Sequence, residues 1–177
     1  MKALVVYESM FGNTEKVARA IGEGLSEHGE VVLHDTATAT PGDVADDVDL
    51  IVAGGPTHAL SMSREDTRHD AIRKGARQGL VGQGLREWLT ALDDLQGLSC
   101  ATFDTRVSKA RLLPGSAARA AARSLRRRGG RMVSSPQSFY VTDVAGPLVD
   151  DQLDRARSWG QQVGGLLADG DDGILAR

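Results

Sequence analysis

Apolar residues follow two alternating rhythms along this chain. Short runs rich in branched side chains lie at Ala3–Tyr7, Val31–Leu33, Leu50–Ala53, Ala101–Phe103, and Met132–Val133 with Phe139–Val141. Such runs suit strands buried on both faces. Between them the apolar positions recur every three or four residues: Val17, Ile21 and Leu25; Leu85, Trp88, Leu89 and Leu92; Val149, Leu153, Ala156, Trp159, Val163 and Leu167. That spacing predicts helices with one stripe turned to the sheet. A further helix is expected over Ser116 to Arg128, rich in Ala and Arg and stopped by Gly129-Gly130, and a short one over Asp43–Val48. Strand and helix in alternation predict a doubly wound α/β domain, a five-stranded parallel sheet with helices on both faces and right-handed crossovers.

At 177 residues and 41% hydrophobic content the chain suits one full core. The expected domain is 1–168, carrying a polar insertion at about 60–84 that is long for a connection and suits a lid, and followed by a flexible acidic tail, 169–177. A single cysteine, Cys100, cannot form an internal disulfide, which agrees with a reducing compartment. The first strand begins at Lys2 or Ala3, with no room for a signal segment, and no run reaches membrane-spanning length, so a cytoplasmic protein without a membrane span is expected. Net charge is only −3, but basic residues crowd 64–77 and 106–131. No aromatic interleaving accompanies them, and a nucleic-acid partner is not expected.

The richest segment is Val5 to Ile21, where an apolar run ends in a turn that opens directly into an amphipathic helix. Ser9, Met10, Phe11, Gly12, Asn13 and Thr14 form that turn. Hydroxyls, an amide side chain, a glycine and a helix start together make an anion cradle. It has neither the lysine of a nucleoside-triphosphate loop nor the glycine spacing of a dinucleotide loop, so a terminal monophosphate fits best. An ordinary capped strand-to-helix turn would use the same residues.

Tyr7, Ser9, Gly12, Thr14 and Ala18 in this context resemble the flavodoxin phosphate-binding signature. The resemblance implies the strand order 2-1-3-4-5, bound FMN above the carboxyl ends of strands one and three, and ring-contacting loops after the third and fourth strands. Those loops hold Pro56, Thr57, His58 and Ala59, and Phe103, Asp104, Thr105 and Arg106. Two departures from the family stand out. Where classical flavodoxins stack a Tyr or Trp on the flavin, these loops offer His58 and Phe103; where classical members are acidic, Arg64, Arg68, His69, Arg106, Lys109 and Arg111 surround the site. A basic rim favours anionic ligands and stabilises a reduced flavin anion.

No residue is singled out as catalytic. His58 is placed to hydrogen-bond a flavin, no two histidines have metal-ligand spacing, and no Ser-His-Asp set or G-x-S-x-G is present, so neither a metal site nor a hydrolase is expected. Three readings stay open: an FMN electron carrier with a redox partner protein, an FMN oxidoreductase acting with NAD(P)H or a quinone, and a flavodoxin-like domain without flavin. Oligomeric state is not legible here.

Overall fold

The computed structural model describes residues 1–76 and 82–171, with backbone alone for 169–171. Its strands are β1 (Lys2–Tyr7), β2 (Glu30–Asp35), β3 (Leu50–Pro56), β4 (Ser99–Val107), β5 (Arg131–Met132) and β6 (Gln137–Val141). Its helices are α1 (Asn13–Leu25), α2 (Glu65–Arg73), α3 (Leu85–Ala91), α4 (Ala117–Arg127) and α5 (Gln152–Asp171). The sheet is parallel in the order β2-β1-β3-β4-β5, with β6 also paired to β4. None of the helices is long and apolar enough to cross a membrane among the described residues.

Period-two alternation along the strands splits the core in two. Leu4, Val6, Ile51, Ala53 and Cys100 point to one face and meet Trp88 and Leu89 of α3 and Leu125 of α4. Ala3, Val5, Leu50, Val52 and Phe103 point to the other and meet Val17, Ile21 and Leu25 of α1 with Trp159 and Val163 of α5. Phe103, Phe139 and Trp159 sit edge to face, with centroids 6.3 to 6.5 Å apart. Each fully buried side chain of this size stabilises the fold by roughly 1.5–3 kcal/mol.

Helices α1 and α5 touch through backbone. A Cβ on Gly24 would lie 2.1 Å from the Arg157 carbonyl oxygen, and one on Gly160 would lie 2.3 Å from that of Ile21. Only glycine allows this approach. Arg157 bonds Glu23 at 2.6 Å and Gln161 bonds Glu27 at 2.6 Å beside the contact.

Four expectations change. The fifth strand is two pieces: Ser99 pairs with Arg131, but Phe103 pairs with Gln137, so the partner chain advances two residues more than β4 does. Pro136, which has no amide to give a ladder, lies in the interruption. The Asp43–Val48 helix is replaced by a 3-10 turn at Pro41–Asp43. The stripe of α5 starts at Ala156, because Leu153 is 40% exposed and Val149 precedes the helix, its amide bonded to the Tyr140 carbonyl. The 60–84 insertion contains α2, and Ala71 and Ala76 there pack with Met10. Residues 77–81 of that insertion and 172–177 of the expected tail lie outside the described residues; 169–171 continue α5.

Candidate functional site

The carboxyl ends of β1, β3 and β4 deliver three loops to one side of the sheet, where they border a cleft open to solvent. Met10, Phe11, Asn13 and Thr14 form its first wall. Gly12 stands at φ 85°, in the left-handed region where a Cβ is unfavourable, and turns the chain into α1. Ser9 is buried and its Oγ accepts the Glu15 amide at 3.1 Å, so it supports the turn from behind. The amides of Phe11, Gly12, Asn13 and Thr14 have no acceptor among the described residues. They surround the positive end of α1, an arrangement suited to an anion.

Helix α4 starts at the same end of the sheet but is closed to anions. Its Ala117 amide donates to Thr57 Oγ1 at 2.9 Å, Ala118 to Asp104 Oδ2 at 2.9 Å, and Arg119 to Ser116 Oγ at 3.3 Å. Three side chains thus satisfy the amides that a ligand would use. Of α1 and α4, which follow the first and fourth strands, α1 keeps its first donors, and Phe11–Thr14 is the end of the cleft suited to an anion.

Thr14 Oγ1 and Thr105 Oγ1 lie 2.7 Å apart, a buried link from α1 to β4. One hydroxyl donates to the other, and the acceptor keeps its own proton to give to a ligand. Asn13 Nδ2 donates to the Ala145 carbonyl at 3.0 Å and fixes the turn that carries Val144.

Pro56, Thr57 and His58 form the second wall. His58 and Ser61 exchange backbone bonds of 2.9 and 3.0 Å around Ala59 at φ 45° and Leu60 at φ 63°. Two non-glycine residues in the left-handed region make this a strained tight turn. Burial lowers the His58 pKa from its ordinary value, and the nearby charges of Arg68 and Lys74 lower it further, so the imidazole is neutral at neutral pH.

Thr105, Arg106 and Val107 complete the cleft with Val141 and Val144. Arg106 is only 6% exposed; its Nη2 donates to the Ala110 and Leu113 carbonyls, and its Nε has no partner. A buried, incompletely paired guanidinium in the wall favours a ligand with an oxygen acceptor or negative charge.

Nine of the expected site residues therefore line the cleft: Met10, Phe11, Asn13, Thr14, Pro56, Thr57, His58, Thr105 and Arg106. Ser9 and Gly12 shape it, and Ala59 sits exposed on the turn. Phe103 and Asp104 are corrections. Both are fully buried, Phe103 in the α1–α5 core and Asp104 under α4. The reason is β6: its pairing with Phe103–Val107 extends β4, and the loop begins four residues later than the apolar run suggests. The same pairing brings in Val107, Val141 and Val144, and the second run, Phe139–Val141 after Pro136, was their signal.

Sequence reasoning also missed Glu8. Fully buried beneath the turn, its Oε2 accepts Ser63 Oγ and the Leu85 amide, both at 2.8 Å. Arg68 Nη1, also buried, donates to Ser63 Oγ at 3.0 Å and Glu87 Oε2 at 3.1 Å. Burial raises the Glu8 pKa while the bonds from Ser63 and Leu85 and the Arg68 charge oppose it. This cluster fastens α2 and α3 behind the Ser9–Thr14 turn; with Arg106 in the cleft wall, two of the six basic-rim residues, Arg68 and Arg106, are buried. Among the described residues no three His, Cys, Asp or Glu side chains gather as metal ligands do.

Comparison with known proteins agrees with this geometry. The sequence model of the flavodoxin family matches residues 5–105. A flavodoxin from the domain Archaea superposes with a TM-score of 0.63 at 20% identity, covering 93% of this chain and 97% of that one. Oxidised flavodoxin 1 of Bacillus cereus gives 0.63 at 19%, covering 92% and 97%, and a WrbA-like flavodoxin of Agrobacterium tumefaciens gives 0.60 at 20%, covering 95% and 98%. An uncharacterized protein of Methanocaldococcus jannaschii is 36% identical over 64 residues, 34% of this chain; the match spans only 16% of that protein.

Proposed function

Because the chain belongs to the flavodoxin family, whose members imply a flavin cofactor, we propose that it binds FMN in this cleft and acts in electron transfer. The observation that carries the reading is the set of unpaired amides from Phe11 to Thr14 beside a fully capped α4. Those amides, with Asn13 and the Thr14–Thr105 hydroxyl pair, suit the phosphate. Pro56, Thr57, His58, Val107, Val141 and Val144 suit the ring, and Met10 and Phe11 its flank.

Bound FMN supplies the carriage of one or two electrons. The protein's own part is to hold and bias it. The Arg106 charge favours whichever form carries more negative charge, and neutral His58 accepts or donates one hydrogen bond without adding charge. A second reading, an FMN oxidoreductase using NAD(P)H or a quinone, is favoured by exposed Lys109 and Arg111 beside an open cleft, which suit an anionic reductant. A cytoplasmic location fits an unpaired Cys100.

Titration of FMN and riboflavin by flavin-fluorescence quenching tests this. FMN should bind tightly, and Thr14→Ala should weaken FMN by about tenfold or more while leaving riboflavin nearly unchanged, as expected for loss of a bond to a charged group. Equal losses for both remove the phosphate assignment. No binding of either makes the chain a flavodoxin fold without flavin. Rapid bleaching on addition of NADPH would favour the oxidoreductase over the carrier.

A further inference from the structure

The exposed apolar side chains of this protein gather around the cleft. Leu112 is 88% exposed, Leu113 50%, Val144 50% and Leu60 39%. These are four of the six large hydrophobics exposed among the described residues. Val144 lines the cleft, Leu60 tips the turn that starts at His58, and Arg106 holds the Leu112–Leu113 segment through the Ala110 and Leu113 carbonyls. Single exposed leucines need no explanation; four around one opening form a contact surface.

The charge beside them has one sign. From Thr105 to Thr142 there are nine Lys and Arg residues and not one Asp or Glu, in a chain whose net charge is −3. Lys109 and Arg111 are exposed next to Leu112. Helix α4 follows, joined to the Leu60 turn where Gly115 approaches the Leu60 carbonyl and Thr57 takes the Ala117 amide. Its Ala and Leu face is buried on the sheet, and Arg119, Arg123, Arg126 and Arg127 cover the outside. Neither these four nor Lys109 and Arg111 pair with a carboxylate among the described residues, whereas Lys2, Arg19, Arg73 and Arg157 all do. Arginines left unpaired on a helix with no acid are a field aimed outward.

We propose that this face docks an acidic redox protein, with Leu112 and Leu113 as the central apolar contact and Lys109, Arg111, Arg119 and Arg123 facing the partner's carboxylates. The inference rests on the electron-transfer reading: an electron passes one at a time between the bound flavin and the partner's own one-electron centre. A protein fits better than an anionic membrane, because the apolar face of α4 is committed to the core, which leaves only the short Leu112–Leu113 tip and no amphipathic helix face to insert. Val144 lines the cleft and the other three are held by lining residues, Leu60 by the His58 turn and Leu112–Leu113 by Arg106, where a redox partner must come close.

The test uses the FMN-loaded protein reduced with dithionite and two haem proteins of opposite charge as one-electron acceptors, acidic cytochrome b5 and basic cytochrome c. Stopped-flow rates should be higher with cytochrome b5 and fall as salt rises, by about tenfold or more across the screening range. The double variant Arg111→Glu/Arg119→Glu should lose about tenfold with cytochrome b5 and gain with cytochrome c. Leu112→Ser/Leu113→Ser should slow cytochrome b5 while keeping the salt slope. Equal rates, or a preference for cytochrome c, overturn the proposal. So does sedimentation with phosphatidylserine vesicles that the leucine variant abolishes, when the two cytochromes react alike, or self-association that the arginine variant abolishes. Calorimetry of the flavin-free protein with cytochrome b5 separates the two ideas: salt-sensitive binding without FMN uptake keeps the docking face and fails the flavin reading.

Discussion

Thr57, Asp104 and Ser116 each give one oxygen to the first turn of α4, and Asp104 does so while fully buried. Burial raises the Asp104 pKa above its usual 3.8, against the bonds from Ser116, Ala118 and Ser138 and the Arg106 charge. Between the unfolded and the native value the folded chain keeps a proton that the unfolded chain has lost, so stability falls as pH rises through that window. Asp104→Asn keeps a cap oxygen without the charge and should remove this fall in urea titrations run from acid to neutral pH. Asp104→Ala removes the cap and should cost about 1–2 kcal/mol at every pH. At this scale the sequence was legible where chemistry is local: Ser9, Gly12 and Thr14 sit in the strand-to-helix turn that their types predict. Phe103 and Asp104 were misplaced because a strand's end depends on its neighbour, which no residue type announces.

Elements are positioned by what they pack against. Strand β4 runs on to Val107 because β6 continues the ladder past the Pro136 interruption, and this carries Thr105 and Arg106 into the cleft wall. Helix periodicity was legible in α1, α3 and α4, where one stripe meets one sheet. It misled at Leu153, since the buried stripe of α5 runs through Gln152, Ala156, Trp159 and Val163 and leaves Leu153 outside. The α1–α5 contact was not legible at all, because Gly24 and Gly160 read as weak helix residues until the facing carbonyls are known. Gly160→Ala should force these backbones apart and cost about 1–3 kcal/mol in denaturant midpoint, with an unchanged slope. Gly97→Ala, where a side chain meets nothing but φ is 86°, measures the cost of backbone strain alone.

For the whole molecule, strand-helix alternation made the parallel sheet legible, while its strand order was implied by the flavodoxin resemblance of the first turn. Cys100 reports on that assembly. It lies inside the sheet, its Sγ 3.3 Å from the Leu98 carbonyl oxygen, with burial pushing its pKa up to about 12. Ellman's reagent should label it only through unfolding. If FMN binds the native state alone, free FMN at one hundred times Kd should slow labelling about a hundredfold. Fast labelling insensitive to FMN would mean that β4 and the short β5 separate locally.

The clasp between α1 and α5 also sets a timetable. Glu23 and Arg157 stand 134 positions apart, so a ribosome adding roughly 5–20 residues per second makes the first helix wait on the order of ten seconds for its partner. Until α5 has emerged, the helix that opens from the Gly12 turn has one side uncovered. Whatever needs α1 held on both sides therefore waits for α5, and for most of that interval the first helix stands without the partner its glycines were cut to fit.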